Sequence, residues 1–333
     1  MKLKEIAKLA NVSVGTVSKV INKREGVGKE KRKEIDEILV KSGFYKRHKQ
    51  NQEENEMKNV AVVVPDLQNP YFGEIIKNIS KILRTNEYQV LIFDTDEKFE
   101  LEEEAITSIL KNNICGVIMC ICDGIKSKSN IENLKNANIP LVLIDRELEF
   151  HQDGVFLDDF KAGYIATEAL IKEGHTKIGV LTGPLNLQNL KNRYLGYVHA
   201  LKDYNISEEN SLVIEGDMRY FDKSNYEQIR KVICNKIEIT GIVSFNNFMT
   251  LNLLRFLNEE KNEKHSKLSL IGFEIPTYFE ILNLNTSSIV TSTSEMGKLA
   301  GKLLIDKLTN GADYTQKIIL QPQLELKGSE KKY

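Results

Sequence analysis

Two groups of residues in this chain are suited to recognition chemistry. In the first, Ser13, Val14, Gly15, Thr16, Ser18 and Lys19 lie within one short stretch. Short hydroxyls of this kind hold phosphate, and a long cation reaches base edges. In the second group, polar side chains follow apolar runs: Asp145 after LVLI, Asn246 after GIVSF and Glu274 after SLIGF. Open α/β sheets bind ligands beyond the carboxyl ends of their strands, so these are the ligand candidates. Arg193 offers a guanidinium fork for vicinal hydroxyls, carboxylate or phosphate. Tyr71 and Phe72 offer aromatic surface. Asp66, Asn69 and Asp217 are weaker candidates, and Asp158 and Asp159 read as helix caps.

Catalytic patterns are missing from the sequence. There is no Gly-x-Gly-x-x-Gly after the first strand, no Gly-x-Ser-x-Gly and no His-Glu-x-x-His. His48, His151, His175, His199 and His265 show no ligand spacing, and His175 in GHTKIG reads as part of a turn into a strand. An enzyme is not expected, nor any cofactor. Cys115, Cys120 and Cys122 lie in or beside ICGVIMCIC, read as a buried strand; they are taken as reduced core thiols, because no further metal ligand of fitting spacing accompanies them.

The elements that must position these residues fall into two kinds. Residues 1–49 hold 14 Lys+Arg against 6 Asp+Glu, and the remaining 284 hold 32 against 41. A basic N-terminal module on an acidic body has the charge outline of a nucleic-acid-binding head. Within it, Leu3, Ile6, Ala7 and Ala10 share one helix face, and Ser13 suits the N-cap of a helix from Val14 to Ile21. Val17, Val20 and Ile21 would face inward. A third helix from about Lys29 to Ser42 buries Ile35, Ile38 and Leu39 and stops at Gly43. Two short helices around a tight turn form a helix-turn-helix, whose second helix enters a major groove.

From Val60 onward, strands alternate with helices. VAVVVPD, QVLIFDTD, CGVIMCIC, IPLVLID, KIGVLTG, TGIVSFNN and LSLIGFE read as strands. Seven such units over about 260 residues suit two doubly wound parallel lobes better than one sheet. No apolar run reaches membrane length and no signal peptide is read, so the expected compartment is the cytoplasm, with no membrane partner.

The string LKEIAKLANVSVGTVSKVINKREGVGKEKRKEI resembles the head of the lac/gal repressor (LacI–GalR) family. The body resembles that family's periplasmic-binding-protein-like core through VVPDLQNPYFGEI, VLIDRE, EGHTKIGVLTGP, NRYLGY, LIGFE and TSTSEMGKLAGKLLIDKL. The resemblance implies base reading by Val14, Gly15 and Lys19 and phosphate contact by Ser13, Thr16 and Asn22. It also implies that Phe72, beside Tyr71, stacks on a bound ring, that Asp145 accepts ligand hydroxyls, and that Arg193 makes the recurrent polar ligand contact, with Asn246 and Glu274 in the remaining positions. The chain departs from the family at Asn246-Asn247, where the pair is usually Asn-Asp, and at Glu274, where Asp is usual. The fold expected is thus an α/β chain: a three-helix helix-turn-helix head and a two-lobed core of doubly wound parallel sheets.

The domains expected are 1–46 for the head, 47–57 for a linker and 58–327 for effector binding and dimerisation. One lobe takes 58–156 plus 290–319, the other 157–289 plus 320–327. The family's hinge helix, whose leucine wedges a base step open, has no counterpart in the polar linker, where Glu53 stands at the leucine position. Binding without a hinge-helix kink is therefore expected. The function implied is a sequence-specific transcriptional repressor, a homodimer on a pseudo-palindromic double-stranded operator, controlled by a small-molecule effector, a sugar or sugar derivative. The competing readings are a regulator with a degenerate cleft and a solute-binding protein.

Overall fold

The computed structural model describes residues 3–21, 24–44, 58–148, 153–207, 212–216, 226–227, 229–230, 233, 239–259, 268–275, 285–311 and 314–332. The chain divides into two compact units, Met1–Met57 and Lys58–Tyr333.

The first unit holds α1 (Leu3–Leu9), α2 (Val14–Ile21) and α3 (Lys29–Lys41). Their apolar faces close on one small core of Ile6, Ala7, Ala10, Val17, Val20, Ile35, Leu39 and Phe44. Ile38 and Ile21 only pack against its edge, because a core this small cannot cover a wider helix stripe. The turn between α1 and α2 passes through Asn11, at φ 49°, a left-handed conformation that Asn tolerates. Gly43, at φ 65°, follows α3 in the same conformation.

The second unit contains two six-stranded sheets. Five strands of the first sheet are β1 (Lys58–Val64), β2 (Tyr88–Asp94), β3 (Ile114–Met119), β4 (Leu141–Ile144) and β5 (Gly154–Leu157). The helices α4 (Pro70–Thr85), α5 (Phe99–Lys111) and α6 (Ser127–Asn136) connect the first four of these. The second lobe runs α7 (Asp159–Lys172), β6 (Ile178–Thr182), α8 (Gln188–Asp203), β7 (Leu212–Glu215), β8 (Gly241–Ser244), α9 (Asn247–Glu259), β9 (Ser269–Phe273) and β10 (Ser287–Val290). Then come α10 (Thr293–Asn310), β11 (Lys317–Leu320) and β12 (Gln323–Glu325).

The sheet orders are β11-β5-β4-β3-β1-β2 and β12-β10-β9-β8-β6-β7. The chain therefore passes between the lobes three times: after Leu157, between Val290 and Thr293, and between Leu320 and Gln323. The first sheet is parallel throughout, and the second has one antiparallel edge, β12 on β10. The segments expected only as links between lobes are themselves strands, β5 and β10 inside the sheets and β11 at an edge, which the sequence hides because each is four residues long.

The central strands are buried on both faces, which is why β1 reads as an unbroken apolar run from Val60 rather than an alternation. In α4 the apolar residues Phe72, Ile75, Ile76, Ile79 and Leu83 follow helical spacing and form one wall of the first lobe's core. Helix α10 returns to this lobe and lies against α4: a Cβ added at Gly297 would fall 2.5 Å from the Ile75 carbonyl oxygen. The strand containing the cysteines ends earlier than the sequence suggests, at Met119. Cys122 lies beyond the sheet because its N–H donates to Glu102 Oε2 at 2.7 Å instead of to a neighbouring strand. Its Sγ lies 2.7 Å from Thr95 Oγ1, while Cys115 Sγ donates to the Asn59 carbonyl at 3.1 Å.

Candidate functional site

The two lobes face each other across a cleft of about 50 Å³. Its lining brings together Tyr71, Phe72, Asp145, Arg193, Asn246 and Glu274, with Asp66 and Asn69 beside them. Asp145 and Glu274 hold the same topological place, just past the third strand in the order of each sheet. Both have a left-handed backbone, with φ 64° and 52°. For a non-glycine residue that conformation costs on the order of 1–3 kcal/mol, and such positions cluster at functional sites. The twist turns each carboxylate away from its strand and toward the cleft.

Arg193 is fixed before any ligand arrives. Its Nε lies 2.7 Å from Asp159 Oδ1, its Nη1 donates to the Phe245 carbonyl at 2.6 Å, and its guanidinium carbon stands 4.6 Å from the Phe273 ring centroid. The NRYLGY motif explains how this is reached. Helices α7 and α8 approach so closely that a Cβ at Gly196 would fall 2.0 Å from the Phe160 carbonyl oxygen, and one at Gly163 would fall 2.0 Å from that of Arg193. Only glycines permit that separation, and it sets Arg193 against the first residue of α7. Asp159, read from sequence as a cap, is instead the buried partner of Arg193; the capping bond comes from Asp158, whose Oδ1 accepts from Lys161 N at 3.0 Å. Burial pushes the Asp159 carboxyl up to about 7, against the pull of Arg193.

On the first lobe, Tyr71 donates its hydroxyl to Asp145 Oδ1 at 2.8 Å. Burial and then the Asp145 carboxylate hold that phenol well above its ordinary range. Phe72 is 3 % exposed; it belongs to the lobe core and shows only one side to the cleft. Arg146 forks onto Glu97 at 2.5 and 2.7 Å and donates to the Ile121 carbonyl at 2.9 Å. Its separation from Asp145 is longer, with Nε 3.9 Å from Oδ2. The sequence offers Asp145 as a neighbour for Arg146, but the closer partner is Glu97, 49 positions away, which nothing in the local sequence signals.

On the second lobe, Asn246 caps α9, accepting from the N–H groups of Phe248 and Met249 at 2.7 and 3.3 Å. Asn247 reaches across the cleft: its Nδ2 donates to Asn69 Oδ1 at 2.7 Å, and Asn69 Nδ2 points back to Asn247 Oδ1 at 3.4 Å. Asn69 caps α4 by accepting from Tyr71 N at 3.1 Å, so two helix N-termini meet through a pair of buried amides. The aspartate usual in the family at this position could accept from Asn69 but could not donate back. Burial takes the Glu274 carboxyl up to about 8. Two acceptor atoms in this lining, Glu274 Oε1 and Asn189 Oδ1, are buried without a hydrogen-bond partner.

In the separate N-terminal unit, Ser13 performs the expected capping. Its Oγ accepts from Thr16 N at 3.1 Å and lies 2.9 Å from Thr16 Oγ1. Ser13, Val14, Gly15 and Lys19 are exposed, Thr16 and Ser18 half-buried, while Val17 and Val20 anchor the opposite face. Asn22, Asp217 and the linker 47–57, with the expected absence of a hinge helix, lie outside the described residues. Among the described residues no group of three or more His, Cys, Asp or Glu is arranged to hold a metal, and no helix is long and apolar enough to cross a membrane.

A two-lobed binding cleft and a helix-turn-helix in one chain define a ligand-responsive DNA-binding protein. Residues 57–233 match the family of periplasmic binding proteins and sugar binding domain of the LacI family, residues 2–46 match the bacterial regulatory proteins of the lacI family, and residues 167–329 match a periplasmic binding protein-like domain. The chain belongs to the LacI family, whose members are DNA-binding transcriptional regulators controlled by a ligand. It is 26% identical over 331 residues to the HTH-type transcriptional repressor PurR of Actinobacillus pleuropneumoniae, covering 98% of this chain and 97% of that one. It is 25% identical over 330 residues to the ribose operon repressor of Haemophilus influenzae, covering 98% of each. The relatives are thus named as regulators rather than enzymes. In fold it is similar to a LacI family regulator from Enterococcus faecium solved with bound ribose (TM-score 0.73, 24% identity, 83% of this chain and 100% of that one). It is likewise similar to the CelR–cellobiose complex (TM-score 0.71, 21% identity, 99% of each chain).

Proposed function

We propose that this chain is a homodimeric repressor that binds a pseudo-palindromic operator through α2 and responds to a sugar or sugar derivative held between the lobes. The observation that carries the ligand half is the convergence of Arg193, Asp145, Asn246 and Glu274, drawn from four separate elements, on one cleft beside aromatic side chains. In this reading the guanidinium and the Asn246 amide nitrogen donate to ligand oxygens, the carboxylates accept from hydroxyls, and Phe72 and Tyr71 cover an apolar ring face.

In the head, Val14, Gly15 and Lys19 read base edges. Ser13, Thr16, Ser18 and Asn22 hold the phosphates that fix the register. Val14 offers only apolar contact, suited to a thymine methyl, and Lys19 donates to guanine without the planar fork of arginine. The proposed domains are 1–46, 47–57 and 58–327, the last divided between lobes at the three crossings. Because ligand pockets enclose about 300–1,000 Å³, a sugar enters only when the lobes part. Its differential affinity for the two lobe arrangements then sets operator affinity. The ribose- and cellobiose-bound neighbours support sugars as the class to try first.

Selection of bound sequences from random duplex DNA, with and without ribose, cellobiose and other sugars, tests both halves. A pseudo-palindromic consensus whose recovery changes with one sugar is expected. Recovery of no consensus in any condition would overturn the DNA-binding assignment, and a consensus indifferent to every sugar would point to a regulator without a sugar effector.

A further inference from the structure

The cleft lining holds more carboxyls than cations. Asp66, Glu97 and Asp145, with the proton-holding Glu274 beside them, line it against Arg146 and Arg193. Neither cation is unclaimed. Glu97 takes Arg146 with both carboxylate oxygens, and Asp159, immediately behind the lining, takes Arg193. The buried guanidinium nitrogen left without a hydrogen bond, Arg146 Nε, already faces Asp145 Oδ2 at 3.9 Å.

Two unmet oxygens belong to the lining. Asn189, 5 % exposed, leaves Oδ1 without a donor, and so does Glu274 Oε1. Asn189 Oδ1 calls for a donor from the ligand, and Glu274 does so once it ionises. The resident carboxyls register the field in which a ligand would sit. Burial is the largest reason that Glu274 holds its proton up to about 8, and Asp145 adds to it; burial likewise raises Asp66, with Asp94, Glu97 and Asp96 adding to it. A phosphate or carboxylate on the ligand would meet that same field, with its negative charge fixed and both cations already paired with carboxyls.

Building on the sugar reading above, we infer that the cleft accepts polyols without an anionic substituent and rejects phosphorylated and carboxylated sugars. Hydroxyls donate to Asp145, Glu274 and Asn189, and Arg193 supplies donors to the ring and hydroxyl oxygens while its Nε stays on Asp159. The discriminating group is Glu97, which keeps Arg146 away from any anion that enters.

Thermal shift and calorimetric titration of the full-length protein with ribose, glucose and cellobiose, and with ribose 5-phosphate, glucose 6-phosphate and glucuronate, test this. The expected result is that at least one neutral sugar binds and that anionic sugars bind at least tenfold more weakly than their neutral parents in 0.15 M salt. Raising the salt to 0.5 M narrows that gap, since screening weakens the repulsion. In Glu97→Gln, with Arg146 released, the gap narrows about tenfold; the salt series on the unaltered protein carries the test even if this variant folds poorly. An anionic sugar that binds as tightly as its parent, or more tightly, overturns the inference while leaving a sugar-binding cleft intact. If no sugar of either kind binds, the sugar reading itself falls, and this inference with it.

Discussion

Replacing Gly196 by alanine sets two effects of opposite sign against each other. In an unhindered helix interior, Gly→Ala stabilises by about 1 kcal/mol. At Gly196 the new Cβ would lie 2.0 Å from the Phe160 carbonyl oxygen and 2.7 Å from Tyr164 N, where real contacts essentially never fall below 3.0 Å. Both obstacles are backbone, so α7 and α8 must separate by roughly 1 Å, and overpacking of this kind costs about 1–3 kcal/mol. The same movement would lengthen the 2.7 Å contact between Arg193 and Asp159 beyond hydrogen-bonding range. Loss of a charge-assisted bond adds about 1.5–3 kcal/mol. The net expectation is a destabilisation of about 2–4 kcal/mol, or a fall in Tm of roughly 4–8 °C for a unit of this size. Gly73→Ala is the control: nothing lies within 4 Å of its Cβ position, so Tm should rise by about 2 °C. Calorimetric melting of both variants reads the difference directly. If Gly196→Ala melts at or above the unaltered protein, the close-approach account of NRYLGY is wrong.

Further outcomes follow from the same geometry. Glu274 binds its proton up to about 8 in the free protein, and a ligand hydroxyl donating to it favours the ionised form. Sugar binding at pH 7.5 should therefore release a fraction of a proton and tighten as pH rises toward 8; titration in buffers of different ionisation heat shows this, and Glu274→Gln should abolish it. Asn247→Ala leaves the buried Asn69 amide short of partners, at a cost of about 1–3 kcal/mol, and should also open the lobes, seen as a larger radius of gyration by small-angle scattering. Lys19→Gln should weaken operator binding and lower the slope of log affinity against log salt if Lys19 meets phosphate, but relax preference at one base position if it reads a base; an unchanged affinity would remove it from the interface. Burial depresses the proton affinity of His175, which sits between Thr240 Oγ1 at 2.8 Å and the Glu330 carbonyl at 3.1 Å. The unfolded state then binds more protons below about pH 6.5, so stability contributed here is present above that pH and lost as pH falls; His175→Asn should flatten that limb of a stability-against-pH curve.

The sequence disclosed the architecture through periodicity. Uninterrupted apolar runs marked strands covered on both faces, and Ser13 before an amphipathic octet marked the recognition helix. It disclosed the cleft through position, since Asp145, Asn246 and Glu274 follow strands. What it concealed depends on contacts between distant segments. The Asp159–Arg193 and Glu97–Arg146 pairs join residues 34 and 49 positions apart, and the Asn69–Asn247 pair spans 178. Local spacing carries no record of such pairings. Nor does an aspartate or glutamate declare that its backbone will turn left-handed, as Asp145 and Glu274 do. The short strands β5, β10, β11 and β12 are hidden because three or four residues do not establish a period.

The threefold passage of the backbone between the lobes also bears on how the protein is made. Helix α10 and strand β11 complete the first lobe, yet in the chain they follow all of the second lobe's strands but its edge strand β12. At bacterial elongation rates of about 5–20 residues per second, the α4 face that receives Gly297 and Gly301 waits on the order of ten seconds for its cover. Throughout that interval a nascent chain presents the apolar flank of an unfinished sheet, open to chaperones or to another nascent copy. A ribosome-bound fragment ending near residue 290 should consequently aggregate or recruit chaperones, and neither lobe can be excised as a single contiguous gene segment.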